Sequence, residues 1–400
     1  MGLIDIAIIL LFVSAIKHGG EGRSIYREED FELEQQLNLL NKPYIKSIQN
    51  KDGRIYDCVH LYKQTALDHP NLLHHKIQMR PTSLPKGLTT SSSGGSSHVK
   101  PSEIEQLEGG GCPIGTVPIK RVTKEDLIRI RTRSFSNVHL HTVGSPGAHY
   151  ANTSTKTSGD FVYFGAQAVI VTNNPTLCAD TQSSETMISV SNGVPNELNS
   201  IDVGWTVNPT LYGDNKTRLY TRWTIDGYRN TGCYNMMCPG FVQTSSNIAL
   251  DTTLWPISTY NGHQFGSKFS VFRENSSTGN WWFAINDNLV GYWPGSIFTS
   301  LNGFASTIVW GGATRSPVGV LYKPEMGSGH FPSEGFGKAS LFEQLQLIPV
   351  DEKYEFRDLG IQETEPVTDK PNCYGVGDIT ELGPAKYSFY FGGPGGICGY

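Results

Sequence analysis

Basic residues are scarce in this chain. Lys and Arg number 32 against 37 Asp and Glu, a net charge of −5 at pH 7, so there is no cationic footprint for nucleic acid. Long apolar runs are missing too. The run Ile4–Ile16 at the N-terminus is too short to span a bilayer, and no later segment reaches that length. It reads as a signal peptide occupying residues 1–22, although its n-region lacks Lys and Arg and contains Asp5. HExxH, G-x-S-x-G and P-loop patterns are absent, which removes the usual zinc peptidase, serine hydrolase and nucleotide-binding signatures. No CxxC pair offers a zinc site, and His139-x-His141 with His149 lacks an acid partner. No metal or cofactor is expected. Charged residues are only 17% of the chain, whereas 44 glycines, 22 prolines and 11% aromatics favour a β-rich secreted protein with many turns.

Seven cysteines are present. Cys233 and Cys238 are expected to close a small disulfide loop. So short a loop removes little unfolded-state entropy and shapes a turn more than it stabilises the fold. Cys373–Cys398 is a second expected pair, and Cys58–Cys112 a third outside the main domain. Cys178 is left over and reads as a buried free thiol. Asn152, Asn215 and Asn275 begin N-glycosylation sequons. Sequons, cysteines and leader together place the protein outside the cell, with the cell wall or a vacuole as possible destinations, and free of the membrane after the leader is removed.

Glu28–Asn41 predicts a helix, with Leu33, Leu37 and Leu40 on one face and Pro43 after its end. Ile45–Ile48 and Ile55–Val59 flank Asp52-Gly53 as a hairpin. This α+β unit, residues 26–83, is followed by a flexible Ser/Gly-rich linker over 84–111. Thr123–Arg131 predicts a short helix capped by Thr123, with Asp126 reaching back. From 139 to 400 short strands follow one another, among them Phe161–Val171, Lys268–Arg273, Trp281–Ile285, Ser306–Trp310 and Tyr387–Phe391, with no βα alternation. The fold class is therefore mainly β, an antiparallel sandwich or barrel of about 260 residues.

The tract Gly204–Phe241 is the richest in signal. Leu219, Thr221, Trp223 and Ile225 alternate with Arg218, Tyr220, Arg222 and Thr224, so the first set faces a core and the two arginines face water. Trp205 and Val207 alternate in the same way, and Tyr212–Lys216 supplies the turn between the two strands. Asp214 and Asp226 read as structural turn residues.

This tract, followed in order by Trp281-Trp282, Gly291-Tyr292-Trp293-Pro294, Trp310-Gly311-Gly312 and Met326–Pro332 with Gly335–Ser340, resembles the catalytic domain of the plant neprosin family. The N-terminal unit, with its LxxQLxLLNKP helix, Asp68-His69-Pro70 and Lys76–Met79, resembles that family's activation domain. The resemblance implies a secreted zymogen of a glutamic endopeptidase cleaving at proline, held by its own activation domain. It also implies an antiparallel β-sandwich whose concave face binds substrate. Two glutamates would act as a pair, one as general base and the other stabilising the oxyanion and protonating the leaving group.

Both glutamate positions are substituted here. The first falls on Asp202, before Val203-Gly204-Trp205, and the second on Ala313, directly after Trp310-Gly311-Gly312. Asp is shorter by one methylene, about 1.5 Å, and misplacement on that scale costs about 100-fold in rate. Alanine has no proton to transfer, and loss of a general acid–base group costs roughly 100- to 10,000-fold. Rescue by Glu325 or Glu334 is disfavoured, because a site needs precise geometry, and Glu334 reads as a turn or surface carboxylate. Trp205, Trp282 and Trp310 are candidate substrate contacts, able to stack on proline rings or sugars. The expectation is a dead or slow enzyme that retains a site for proline-rich peptide or cell-wall polymer. The alternative is an active acid endopeptidase using Asp202 and a second acid not yet identified.

Overall fold

The computed structural model describes residues 22–88, 99–133, 147–156, 161–351 and 353–398. The leader, His139, His141 and the Ser/Gly run at 91–97 lie outside the described residues.

The N-terminal unit begins with helix α1 (Gly22–Leu40), which presents Leu33, Leu37 and Leu40 to one small core. Strands β1 (Tyr44–Gln49) and β2 (Ile55–His60) form the expected hairpin, with Gly53 at φ +85° in its turn. A third strand, β3 (Thr116–Lys120), pairs antiparallel with β2. Helix α2 (Lys124–Arg133) follows, with the reciprocal Thr123–Asp126 cap that the sequence predicts. The unit therefore does not end at residue 83. Nor are the described parts of 84–111 free of contacts. Leu88 is buried, Lys100–Pro101 pairs with a sandwich strand, and Glu103–Ile104 pairs with Leu254–Trp255. Cys58–Cys112 ties the end of this stretch back to β2.

Two large sheets form the rest. The first contains β4 (Ala148–Thr155), β6 (Ser183–Asn192), β7 (Asn199–Val207), β8 (Arg218–Thr224), β12 (Thr307–Arg315) and β14 (Thr364–Thr368). Its spatial order is Cys233–Tyr234, β8, β7, β6, β12, β4, β14, and its pairs are antiparallel. The second is built on β5 (Tyr163–Val171), β9 (Phe265–Arg273), β10 (Trp281–Ile285), β11 (Asn288–Trp293), β13 (Ser340–Pro349) and β15 (Tyr387–Gly392). It runs β11, β10, β9, β5, β13, β15 between short edge pairings.

Period-two alternation sends one face of each sheet into a shared core. Ile188, Val203, Trp205, Leu219, Trp223 and Trp310 come from the first sheet, and Ile170, Phe269, Trp281, Phe283, Phe342 and Phe389 from the second. The chain is thus a mainly antiparallel β-sandwich. Among the described residues, no helix is long and apolar enough to cross a membrane. All three expected disulfides are present. Cys178, expected to be buried, is exposed and unpaired because its loop lies outside the core.

The N-terminal unit docks through charge. Arg218 on β8, expected in water, is fully buried. Its Nη2 lies 2.9 Å from Asp52 of the β1–β2 turn and 2.6 Å from Asp214, while Arg54 reaches Asp214 at 2.8 Å. Burial pushes the Asp214 pKa up, but hydrogen bonding and attraction from Arg218 and Arg54 outweigh it, giving about 2 against an ordinary 3.8. A depressed carboxyl pKa gives stability that is present above the unfolded value and lost as pH falls through the folded one. Acidification from pH 4 to 2 is therefore expected to withdraw about 2 kcal/mol, read as the urea midpoint of the full chain. Asp214→Asn should lower the midpoint at pH 5 and flatten its fall below pH 4. An unchanged acid slope in the variant would contradict this role.

Candidate functional site

The outer face of the first sheet carries the residues singled out for chemistry. Parity along the paired strands puts Asp202 of β7, Glu185 and Ser189 of β6, Ala313 of β12 and Arg222 of β8 on that face. Asp202 lies opposite Ser189, whereas Ala313 lies opposite Glu185, four residues along β6. The two positions share a face but are not direct neighbours, and the alanine projects no polar group toward Asp202.

The acid brought to Asp202 is Glu185. Arg222 donates from Nε and Nη2 to Asp202 Oδ2 at 3.0 and 2.8 Å, and its Nη2 lies 3.4 Å from Glu185 Oε1. Arg315 donates to the same Glu185 oxygen at 2.8 Å. Tyr228 donates its hydroxyl to Asp202 Oδ2 at 2.9 Å, and Arg222 Nη1 donates to the Tyr234 hydroxyl at 3.0 Å. The guanidinium carbon lies 4.9 Å from the Tyr228 ring centre and 5.2 Å from that of Tyr234, a cation–π arrangement on both rings.

Asp202, Glu185 and Arg222 are each less than 2% exposed. Arg222 was expected in water. It is buried instead because two acids from neighbouring strands neutralise it, the condition under which a protein interior accepts a charge. Burial alone would lower its pKa, but Glu185, Tyr228, Tyr234 and Asp202 hold it well above the ordinary value. Burial likewise raises the Tyr228 pKa far enough to keep the phenol a donor. Chemically, the cluster around Asp202 holds two carboxylates and two guanidinium groups in balance, with Asp202 Oδ2 engaged by three donor atoms from Arg222 and Tyr228.

Glu185 escapes sequence reasoning because Ser183–Asn192 holds no motif. The available signal was parity: Glu185 alternates with Ile188 and Val190, which are core residues. The three tryptophans require correction. Trp205 donates to the Val171 carbonyl at 3.0 Å inside the main core, and Trp310 lies in that same core. Trp282, on the outer face of the second sheet, is fully buried against Tyr292, with ring centres 4.6 Å apart, beneath the segment that includes Ala66 and Leu88. None of the three is open to a ligand on the first sheet's outer face.

The remaining sites fall as follows. Glu325 accepts from the Thr176 amide at 2.7 Å, and Glu334 is held by His330 and Tyr260 at the surface. Asp226 accepts three backbone amides of its own turn, at Arg229, Asn230 and Thr231. His149 pairs with Asp369 at 2.8 Å, and the described residues contain no cluster able to hold a metal. Asn215 and Asn275 are exposed in turns, as a glycan requires, whereas Asn152 is half-buried within β4 opposite Gly311.

The fold and its N-terminal clamp define a two-sheet β protein that carries an activation peptide. The Neprosin family model matches residues 180–394, more than half of the chain, and the Neprosin activation peptide model matches residues 47–161. The chain belongs to the neprosin family. The activation-peptide match spans β3 and α2, in keeping with their place in the N-terminal unit.

Removing one partner of a buried charge pair costs about 3–5 kcal/mol, whereas replacing the pair by apolar groups can be neutral. Asp202→Ala is expected to destabilise by that amount in urea denaturation. Asp202→Leu with Arg222→Met should lose far less than the sum of its single changes, because Glu185 keeps Arg315. Strict additivity would show that the pair is not coupled.

Proposed function

We propose that this is a secreted neprosin-family protein that binds proline-rich peptide or cell-wall polymer without appreciable hydrolysis. The observation carrying this reading is the pairing of Asp202 with Arg222 at one family position and alanine at the other. A general base must have a lone pair free to take a proton from water, within hydrogen-bond reach. Asp202 Oδ2 instead receives Arg222 and Tyr228 in a site closed to solvent. Secretion is supported by the three disulfides, which form in oxidising compartments, and by the leader-like N-terminus.

A second reading retains turnover, with Glu185 as the second acid. It is favoured by one feature, the Arg222 Nη2 atom shared by the two carboxylates. Paired carboxylates titrate as a unit, so one can hold a proton while the other is ionised.

The two readings separate in one experiment. The chain without its leader is exposed to acid and incubated with a proline-rich peptide, and products are read by mass spectrometry. The expected result is intact peptide with wild type and fragments with Asp202→Glu plus Ala313→Glu. Wild-type fragments that disappear in Asp202→Ala and in Glu185→Gln would establish the second reading instead.

A further inference from the structure

The outer face of the second sheet is covered by the N-terminal unit, through Ala66 and Leu67 and through a strap at residues 75–88. Trp282, Tyr292, Phe272, Ile348 and Tyr354 form its floor, all buried. Leu88 of the strap joins this apolar cluster and Ile77 packs against it. The rest of the strap's hold is polar and specific. Gln78 donates Nε2 to Glu274 at 2.8 Å and accepts from Asn280 Nδ2 at 2.8 Å, so both ends of its amide are read. Thr82 donates its backbone amide and its hydroxyl to the same Glu274 oxygen, at 2.9 and 3.1 Å. The Tyr292 hydroxyl meets His75 Nε2 at 2.7 Å and accepts from the Gln78 amide at 3.0 Å. Further on, Lys86 exchanges both backbone hydrogen bonds with the chain at Tyr354 and Phe356, at 3.1 and 3.0 Å, the pattern of strand addition.

The receptor side of these contacts is buried and the strap side is not. Glu274 and Tyr292 are fully buried and Asn280 is 2% exposed, whereas Thr82 is exposed and Gln78 half-buried. Lifting the strap would therefore bare part of an aromatic floor and free Glu274 Oε2 of its Gln78 and Thr82 donors, leaving Thr278 on Glu274 and the Gly295 amide on Asn280. Uncovered apolar surface rimmed by polar groups of that kind marks an interaction site.

We infer that this face is a second peptide-binding site, for an extended proline-containing peptide with a glutamine four residues before a serine or threonine, and that residues 75–88 are its built-in competitor. The inference rests on the activation peptide being releasable, but on neither reading of the first sheet's chemistry. Occupancy in cis sets a high effective concentration, so the test weakens the strap and leaves the face beneath it untouched.

Full-length Gln78→Ala/Thr82→Ala and wild type are titrated with a fluorescent peptide copying residues 74–86, with anisotropy as the readout. Trypsin cleavage after Lys76 or Lys86 reports whether the strap has lifted. The expected result is at least about tenfold tighter binding to the variant than to wild type. A peptide with alanine for its glutamine and threonine should bind at least about tenfold weaker. Adding Glu274→Gln to the variant should weaken the native peptide similarly. A lifted strap with no binding overturns the inference, as does equal binding of a scrambled peptide. A strap that stays trypsin-resistant with no binding also counts against it, because the hold is assigned to these contacts. Should the double variant fail to fold, Gln78→Ala alone carries the same comparison. No step reads hydrolysis, so failure here leaves the proposal for Asp202 and Ala313 standing.

Discussion

Two arginines inside one strand organise much of this molecule. Arg218 and Arg222 project from the same face of β8, and neither is exposed. A buried guanidinium is tolerable only when acids surround it with good geometry. Each arginine therefore recruits acids from separate parts of the chain. Arg218 draws Asp52 from the N-terminal hairpin and Asp214 from the turn before β8. Arg222 draws Asp202 from β7 and Glu185 from β6. The first set docks the activation unit, and the second occupies the ground where the family's chemistry is expected.

The two sets bear on function in opposite ways. The docking set joins surfaces that are distant in sequence and weakens in acid. The second joins adjacent strands of one sheet and is enclosed by tyrosines. Rigidity at Asp202 is thus a by-product of charge burial: the carboxylate that neutralises Arg222 is committed to it. A binding protein can keep such a network, since a well-satisfied buried polar cluster fixes the shape of the surface around it.

Much of the fold was legible because alternation and turn chemistry are local. Trp205, Leu219 and Trp223 face the core as their parity requires, and Thr123 with Asp126 caps α2 as the sequence foretells. The misreading of the two arginines has a plain cause. Parity shows which residues share a face, and it cannot show what lies over that face. Arg218 and Arg222 were assigned to water because alternation sets them opposite the core, yet the acids that permit their burial are supplied from elsewhere in the fold. The strand β3 could not be read into the N-terminal unit because its partner β2 lies some 60 residues earlier. The disulfides were readable as pairs, whereas exposure of Cys178 depends on where its loop falls. At the site, family spacing pointed to Asp202 and Ala313, whereas strand register and the Arg222 contact brought in Glu185.

The docking network has a property that bears on how the activation unit comes away. Asp52 and Arg54 sit on one side of it, and Asp214 and Arg218 on the other. Each side holds one acid and one base. Separation divides the cluster into two neutral halves, each able to close its own pair, as Arg54 already does with Asp52 and Arg218 with Asp214. These four charges thus divide evenly, while Asp251 on the sandwich side loses the Tyr56 hydroxyl that donates to it at 3.0 Å.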